Sequence, residues 1–162
     1  MFYYICLLSI ITMKRYIIFI NLLSFFLGAG VVFCQKESTK TSNVHLFEKE
    51  FIIDNLNGIS HKVWVYLPLD YEDSKKSYPV IYMHDGQNLF DDATSYIGEW
   101  SVDEILNSHF KKTGNSFIVV GIANGGAKRI EEYTPWENEK YGGGRGSIYI
   151  DFIKNELKPI ID

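Results

Sequence analysis

Hydrophobic and polar positions change rhythm several times along this chain, and each rhythm predicts an element. Tyr16 to Phe33 is a nearly unbroken apolar run behind Met13-Lys14-Arg15, and Gln35 to Asn43 is polar throughout. The polar stretch reads as a short flexible linker over residues 35–44. From His45 to Ile53 apolar and polar residues alternate loosely. Ser60 to Leu67 then places Val63, Val65 and Leu67 on one face. Asn57-Gly58 lies between these two stretches and predicts a hairpin turn. Pro68 ends the second strand, and Asp70 to Ser77 is a charged turn.

Val80-Ile81-Tyr82-Met83 is a short continuous apolar run opened by Pro79, and Phe117 to Ile122 is a second. Such runs predict strands buried on both faces of a parallel sheet. Between them Trp100, Val102, Ile105, Leu106 and Phe110 recur at helical spacing. Ser101 is placed to cap that helix in a capping box with Glu104, and Gly114 to stop it. Strand, helix and strand make a right-handed parallel crossover. From Ser147 to Asp162, the residues Ile148, Phe152, Ile153, Leu157 and Ile160 fall near one helical face, with Ser147 as a plausible cap. Hairpin, parallel βαβ unit and C-terminal helix read as the first half of an α/β sheet.

Composition sharpens this picture. The 162 residues are 46% hydrophobic and 15% aromatic, which excludes a disordered chain. The net charge is −4 with no block of like charges, which argues against nucleic-acid binding through a basic face. Both cysteines, Cys6 and Cys34, lie in the first 34 residues, so the rest has neither a disulfide framework nor a thiolate metal site. Residues 1–34 read as a secretory signal peptide whose start is Met13, and cleavage after Cys34 leaves Gln35 first and the protein exported, periplasmic or extracellular. Two other readings stay open. One is a membrane anchor retained uncleaved. The other is a lipoprotein lipidated at Cys34, against which stands Phe33, where Gly, Ala or Ser is needed.

The densest chemistry is His84-Asp85-Gly86-Gln87-Asn88-Leu89-Phe90-Asp91-Asp92, directly after the first buried strand. Ligands of open α/β sheets gather at the carboxyl ends of strands. Gly86 lets the backbone turn tightly, and nearby N–H groups could face an oxyanion; an ordinary Asp-Gly turn fits the pattern equally well. Asn124-Gly125-Gly126 ends the next strand, with Arg129, Glu132, Tyr133, Thr134, Pro135 and Trp136 following. These suit the rim of a binding cleft, or a solvated loop. Gly142 to Gly146 lacks the phosphate-loop pattern and reads as a flexible loop. The histidines, His45, His61, His84 and His109, form no H-x-x-x-H pair, so neither a zinc site nor a cofactor is expected. Asp91-Asp92 is too generic for an acid–base pair, and the carboxylates read mostly as solvated surface.

Tyr82 to Phe90, Gly98-Glu99-Trp100-Ser101-Val102-Asp103-Glu104, Val119 to Gly126 and Glu132-Tyr133-Thr134-Pro135-Trp136 together resemble the putative esterase family of α/β-hydrolases. That group includes enterochelin esterase-like, feruloyl and acetyl-xylan esterase-like, esterase D-like and mycolyltransferase-like proteins. The resemblance runs from about Phe51 to Asp162. It implies an α/β-hydrolase fold and acyl transfer by a Ser, His and Asp/Glu triad, the serine in a G-x-S-x-G elbow. The sequence contains no G-x-S-x-G. The resemblance therefore implies the N-terminal part of such a fold, ending before the elbow, with Val80 to Met83 left as a sheet edge. It also implies an oxyanion-hole donor at the Gln87 N–H, after Gly86. His84, Asp85, Asn88 and Trp100 would shape the pocket, and Asn124, Arg129, Tyr133 and Trp136 its rim. The substrate would be a small-molecule or carbohydrate ester. Two alternatives are a non-catalytic carbohydrate-binding module gripping a sugar with Trp100, Tyr133 and Trp136, and a subunit completed by a partner chain carrying the C-terminal half.

Overall fold

A computed structural model describes residues 36–53, 55–56 and 58–162. Residues 1–35, where the expected export signal falls, and Asp54 and Asn57 of the expected hairpin turn lie outside the described residues. Among the described residues no helix is long and apolar enough to cross a membrane.

The hairpin forms in two pieces. Strand β1 (Val44–Leu46) pairs antiparallel with β4 (Val63–Tyr66), and β2 (Phe51–Ile52) with β3 (Ser60–His61). Strand β5 (Val80–Met83), helix α1 (Val102–Thr113) and strand β6 (Ile118–Ile122) form the crossover, with β5 and β6 parallel. The four-stranded sheet has the order β1-β4-β6-β5, mixed because β4 and β6 run antiparallel. This is an α/β fold, as the alternation of apolar runs and helical spacing predicts.

The pleat sends alternate residues of the central strands to two cores. Val63, Val120 and Ile122 meet Phe51, Ile53, Leu56 and the C-terminal helix, while Trp64, Tyr66 and Val119 meet Val44, Leu89 and Phe90. Strand β6 is buried on both faces, but β5 is not: as the edge strand it leaves Ile81 40% exposed and its other residues half-buried. A continuous apolar run does not distinguish an edge from a centre.

Other expectations need correction. Residues 36–43 are strapped to the domain. Ser38 Oγ and Thr39 N–H donate to Asp91, Thr41 N–H and Oγ1 donate to Asp103 at 2.8 and 2.6 Å, and Asn43 bonds Leu67 and Asn107. Asp91 is therefore a buried anchor, not a solvated carboxylate. Helix α1 buries polar Asp103 and Asn107 and leaves Ile105 61% exposed. Ser101 precedes it with φ +53° and makes no side-chain cap bond, so the capping box does not form. Instead Glu104 turns toward Asp103 and Glu99, where burial first, then its acidic neighbours, lifts its carboxyl to about 7. Gly114 ends the helix in the left-handed conformation, as expected.

Helix α2 (Arg129–Tyr133) and the ribbon of β7 (Glu137–Asn138) with β8 (Gly142–Gly143) occupy what reads as loop. Gly143 has φ +105° and presses against Thr134, which takes N–H groups from Gly144 and Gly146 on its carbonyl. The last helix begins as α3 (Gly146–Phe152) with Arg145, not Ser147, at its N-cap. It passes through a π turn (Ile153–Leu157) into α4 (Lys158–Ile161). The inserted residue rotates the buried face. Tyr149, Phe152 and Leu157 are buried and Ile161 packs on them, while Ile160 turns outward.

Candidate active site

The β5 strand ends at the sheet's edge, and the chain must turn sharply there to stay on the fold. Asp85 takes φ +56° and ψ +41°, a conformation that Asp tolerates better than most residues. A 3₁₀ turn over Gly86–Asn88 follows. Gly86 lies on the β6 backbone: a Cβ there would sit 2.5 Å from the Gly121 carbonyl carbon. Only glycine permits that approach. The Gln87 N–H bonds to no group among the described residues.

Asp85 is the hub that fixes this turn. Arg129 Nε and Nη2 donate to its two oxygens at 2.9 and 2.7 Å, and Asn124 Nδ2 donates at 2.6 Å. The Tyr133 hydroxyl accepts from the Asp85 N–H at 3.3 Å. These donors, Arg129 foremost, hold the carboxyl down at about 2. Burial pushes the Tyr133 phenol up to about 12, so it stays protonated. The Arg129 guanidinium also covers the Tyr133 ring at 4.9 Å. The pair ties the loop after β5 to α2, which follows β6.

Because the Asp85 carboxyl is depressed below its ordinary value of 3.8, folding is stabilised by its ionised form above about pH 4. That contribution is lost as pH falls through about 2. Thermal melts from pH 5 to 2 are expected to show an acid limb that flattens in Asp85→Asn; an unchanged limb would remove Asp85 from this role.

The remaining expected site residues divide. His84 is exposed, stacks its ring 4.6 Å from that of Tyr133, and faces the Tyr149 hydroxyl at 3.3 Å. A cleft of about 410 Å³ opens there, lined by His84, Tyr133, Gly146, Ser147, Tyr149 and Asp151 among others. The Gln87 side chain is buried and accepts from the Asn124 N–H at 3.2 Å. Both residues line a second cleft of about 450 Å³ with Trp64, Thr94 and Tyr96. Asn88 is buried too: its side chain accepts from Tyr96 N–H and Ser95 Oγ, and its carbonyl from Trp100 N–H. So Asp85, Asn124, Arg129 and Tyr133 come together, with His84 and Gln87 on either side. Trp100 and Trp136, 49% and 81% exposed, join neither cleft nor each other.

Sequence reading missed the group beneath the site. His61 and Glu132 are fully buried, with Nε2 and Oε1 2.9 Å apart. Glu132 also accepts the Gly125 N–H at 2.8 Å. His61 Nδ1 faces the Ile59 carbonyl at 3.0 Å, which can only accept. Nδ1 is therefore the donor to that carbonyl, and Nε2 is held against Oε1. The pair fixes the start of the Gly125–Tyr133 segment against β3. Tyr149, between His84 and His61, is likewise a site-wall residue that the helical pattern did not single out.

Residues 56–162 match the family described as "Putative esterase". Uncharacterized protein YbbA of Bacillus subtilis (strain 168) is 29% identical over 105 residues, covering 60% of this chain and 38% of that protein. Among solved structures, the BES protein from Bacillus cereus superposes with a TM-score of 0.55 at 25% identity, over 78% of this chain and 48% of that one. An IroE-like serine hydrolase from Shewanella oneidensis superposes with a TM-score of 0.50 at 25% identity, over 72% and 38%. The chain thus spans about half the length, or less, of the proteins it matches. The turn after β5, the Asp85 hub and the segment from Gly125 to Trp136 all lie within the matched residues, and the chain belongs to the "Putative esterase" family.

Proposed function

We propose that this chain supplies the oxyanion-loop half of an exported serine carboxylic-ester hydrolase. Acyl transfer would run through a Ser, His and Asp/Glu triad that these 162 residues do not contain. The observation that supports this best is the Gly86–Gln87 turn. It is locked on one side by contact with Gly121 and on the other by the Asp85 hub, and among the described residues it leaves the Gln87 N–H without a partner. A preorganised donor of that kind stabilises charge developing on a carbonyl oxygen, because it needs no rearrangement when the charge appears. In this reading Gln87 N–H is one oxyanion donor and the second follows the elbow serine. His84 and Tyr133 form the wall of the acyl pocket, while Asp85, Asn88, Asn124 and Arg129 position the loop. The exported protein would begin at Gln35 on N-terminal sequencing.

Without a nucleophile and base, one donor has nothing to stabilise. The purified 162-residue chain should therefore hydrolyse p-nitrophenyl acetate at the buffer rate. Turnover that disappears in Gly86→Pro would contradict the proposal.

A further inference from the structure

Glu99, Asp103 and Glu104 bring one carboxylate oxygen each to within 4.8 Å of one another. Asp103 is fully buried. Its Oδ1, with Glu99 Oε1 and Glu104 Oε2, is shielded from solvent and takes no donor from outside the cluster, while the Asp103 and Glu104 carboxyls meet each other. Among the described residues no Lys, Arg or His forms an ion pair with any of the three. Burying carboxylate oxygens without donors or counter-charge is costly.

The other oxygens of the cluster are anchored. Thr39 Oγ1 donates to Glu99 Oε2 at 2.5 Å, and Thr41 N–H and Oγ1 donate to Asp103 Oδ2 at 2.8 and 2.6 Å. Carboxylates that bind a metal are commonly held in this way by bonds to their second oxygen. We propose that Glu99, Asp103 and Glu104 form a calcium site at the start of α1. Calcium takes oxygen ligands at about 2.3–2.6 Å, so its ligand atoms stand up to about 5 Å apart, as these can. It tolerates an irregular set completed by water. Its role would be structural: an ion there joins α1 to the 36–43 strap through Thr39 and Thr41. The inference is independent of esterase activity.

The competing occupant is a proton shared between two of the acids. Melting the full chain in calcium chloride and in chelator separates the two. Calcium should raise the melting temperature by several degrees and slow proteolysis within residues 36–43. Terbium should bind at the same place with luminescence sensitised by Trp100, beside Glu99, and calcium should displace it. Glu99→Gln and Glu104→Gln keep side-chain size and avoid the Asp103 bonds to Thr41. Each should melt cooperatively in chelator and lose the calcium shift. The proposal is overturned if the wild-type melt ignores calcium while Glu104→Gln alone stabilises the protein, since a proton then occupies the cluster. It is equally overturned if the variants keep the wild-type calcium shift.

Discussion

Replacing Glu132 with alanine should cost the protein about 3 kcal/mol, the upper end for leaving buried polar groups without their partner. The loss leaves the buried His61 Nε2 and the Gly125 N–H unpaired. Against a typical stability of about 5–15 kcal/mol, that is a large fraction. Urea denaturation would report it as a lower midpoint at unchanged slope. The pairing itself is isolated by a second change. Glu132→Leu with His61→Leu removes both polar groups, and the double variant should regain part of the single variant's loss. Additive losses would mean that the two residues matter by size alone.

Gly86→Ala should cost about 3 kcal/mol, at the upper end for overpacking. The new methyl would meet backbone atoms, Gly121 carbon and oxygen and Ile122 nitrogen, at 2.5–2.7 Å, and backbone of a central strand has no rotamer to yield. Gly121→Ala is the control. Its methyl would meet Leu89 and Phe90 side-chain atoms at 2.9–3.0 Å, which can shift, and the Gly86 Cα at the milder 3.2 Å, so about 1 kcal/mol is expected. Equal losses in urea denaturation would show that close packing of the turn on β6 is not what demands glycine at 86.

These two positions show what the sequence makes legible. Gly86 stands in a motif after an apolar run, and local pattern locates both the run and the turn. The strands, α1 and its Gly114 stop were readable for the same reason: each depends on residues a few positions apart. Glu132 and His61 are 71 residues apart and follow no period. The same holds for Asp103 with Thr41 and Asp91 with Ser38, so the 36–43 strap read as linker. The π turn is invisible to a pattern that assumes 3.6 residues per turn, and it moved the buried face from Ile160 to Ile161. The acids at the start of α1 read as a capping box because Glu104 stands three residues after Ser101. A left-handed Ser101 undoes that geometry.

The central claim, that this chain carries the oxyanion-loop half of a serine esterase, is tested most directly by ester hydrolysis in a chain continued through a G-x-S-x-G strand and the following acid and histidine. Turnover of a p-nitrophenyl ester that a serine-directed phosphonate abolishes is expected, with none from residues 1–162 alone. A longer chain that folds, carries the triad and still hydrolyses no carboxylic ester would contradict it.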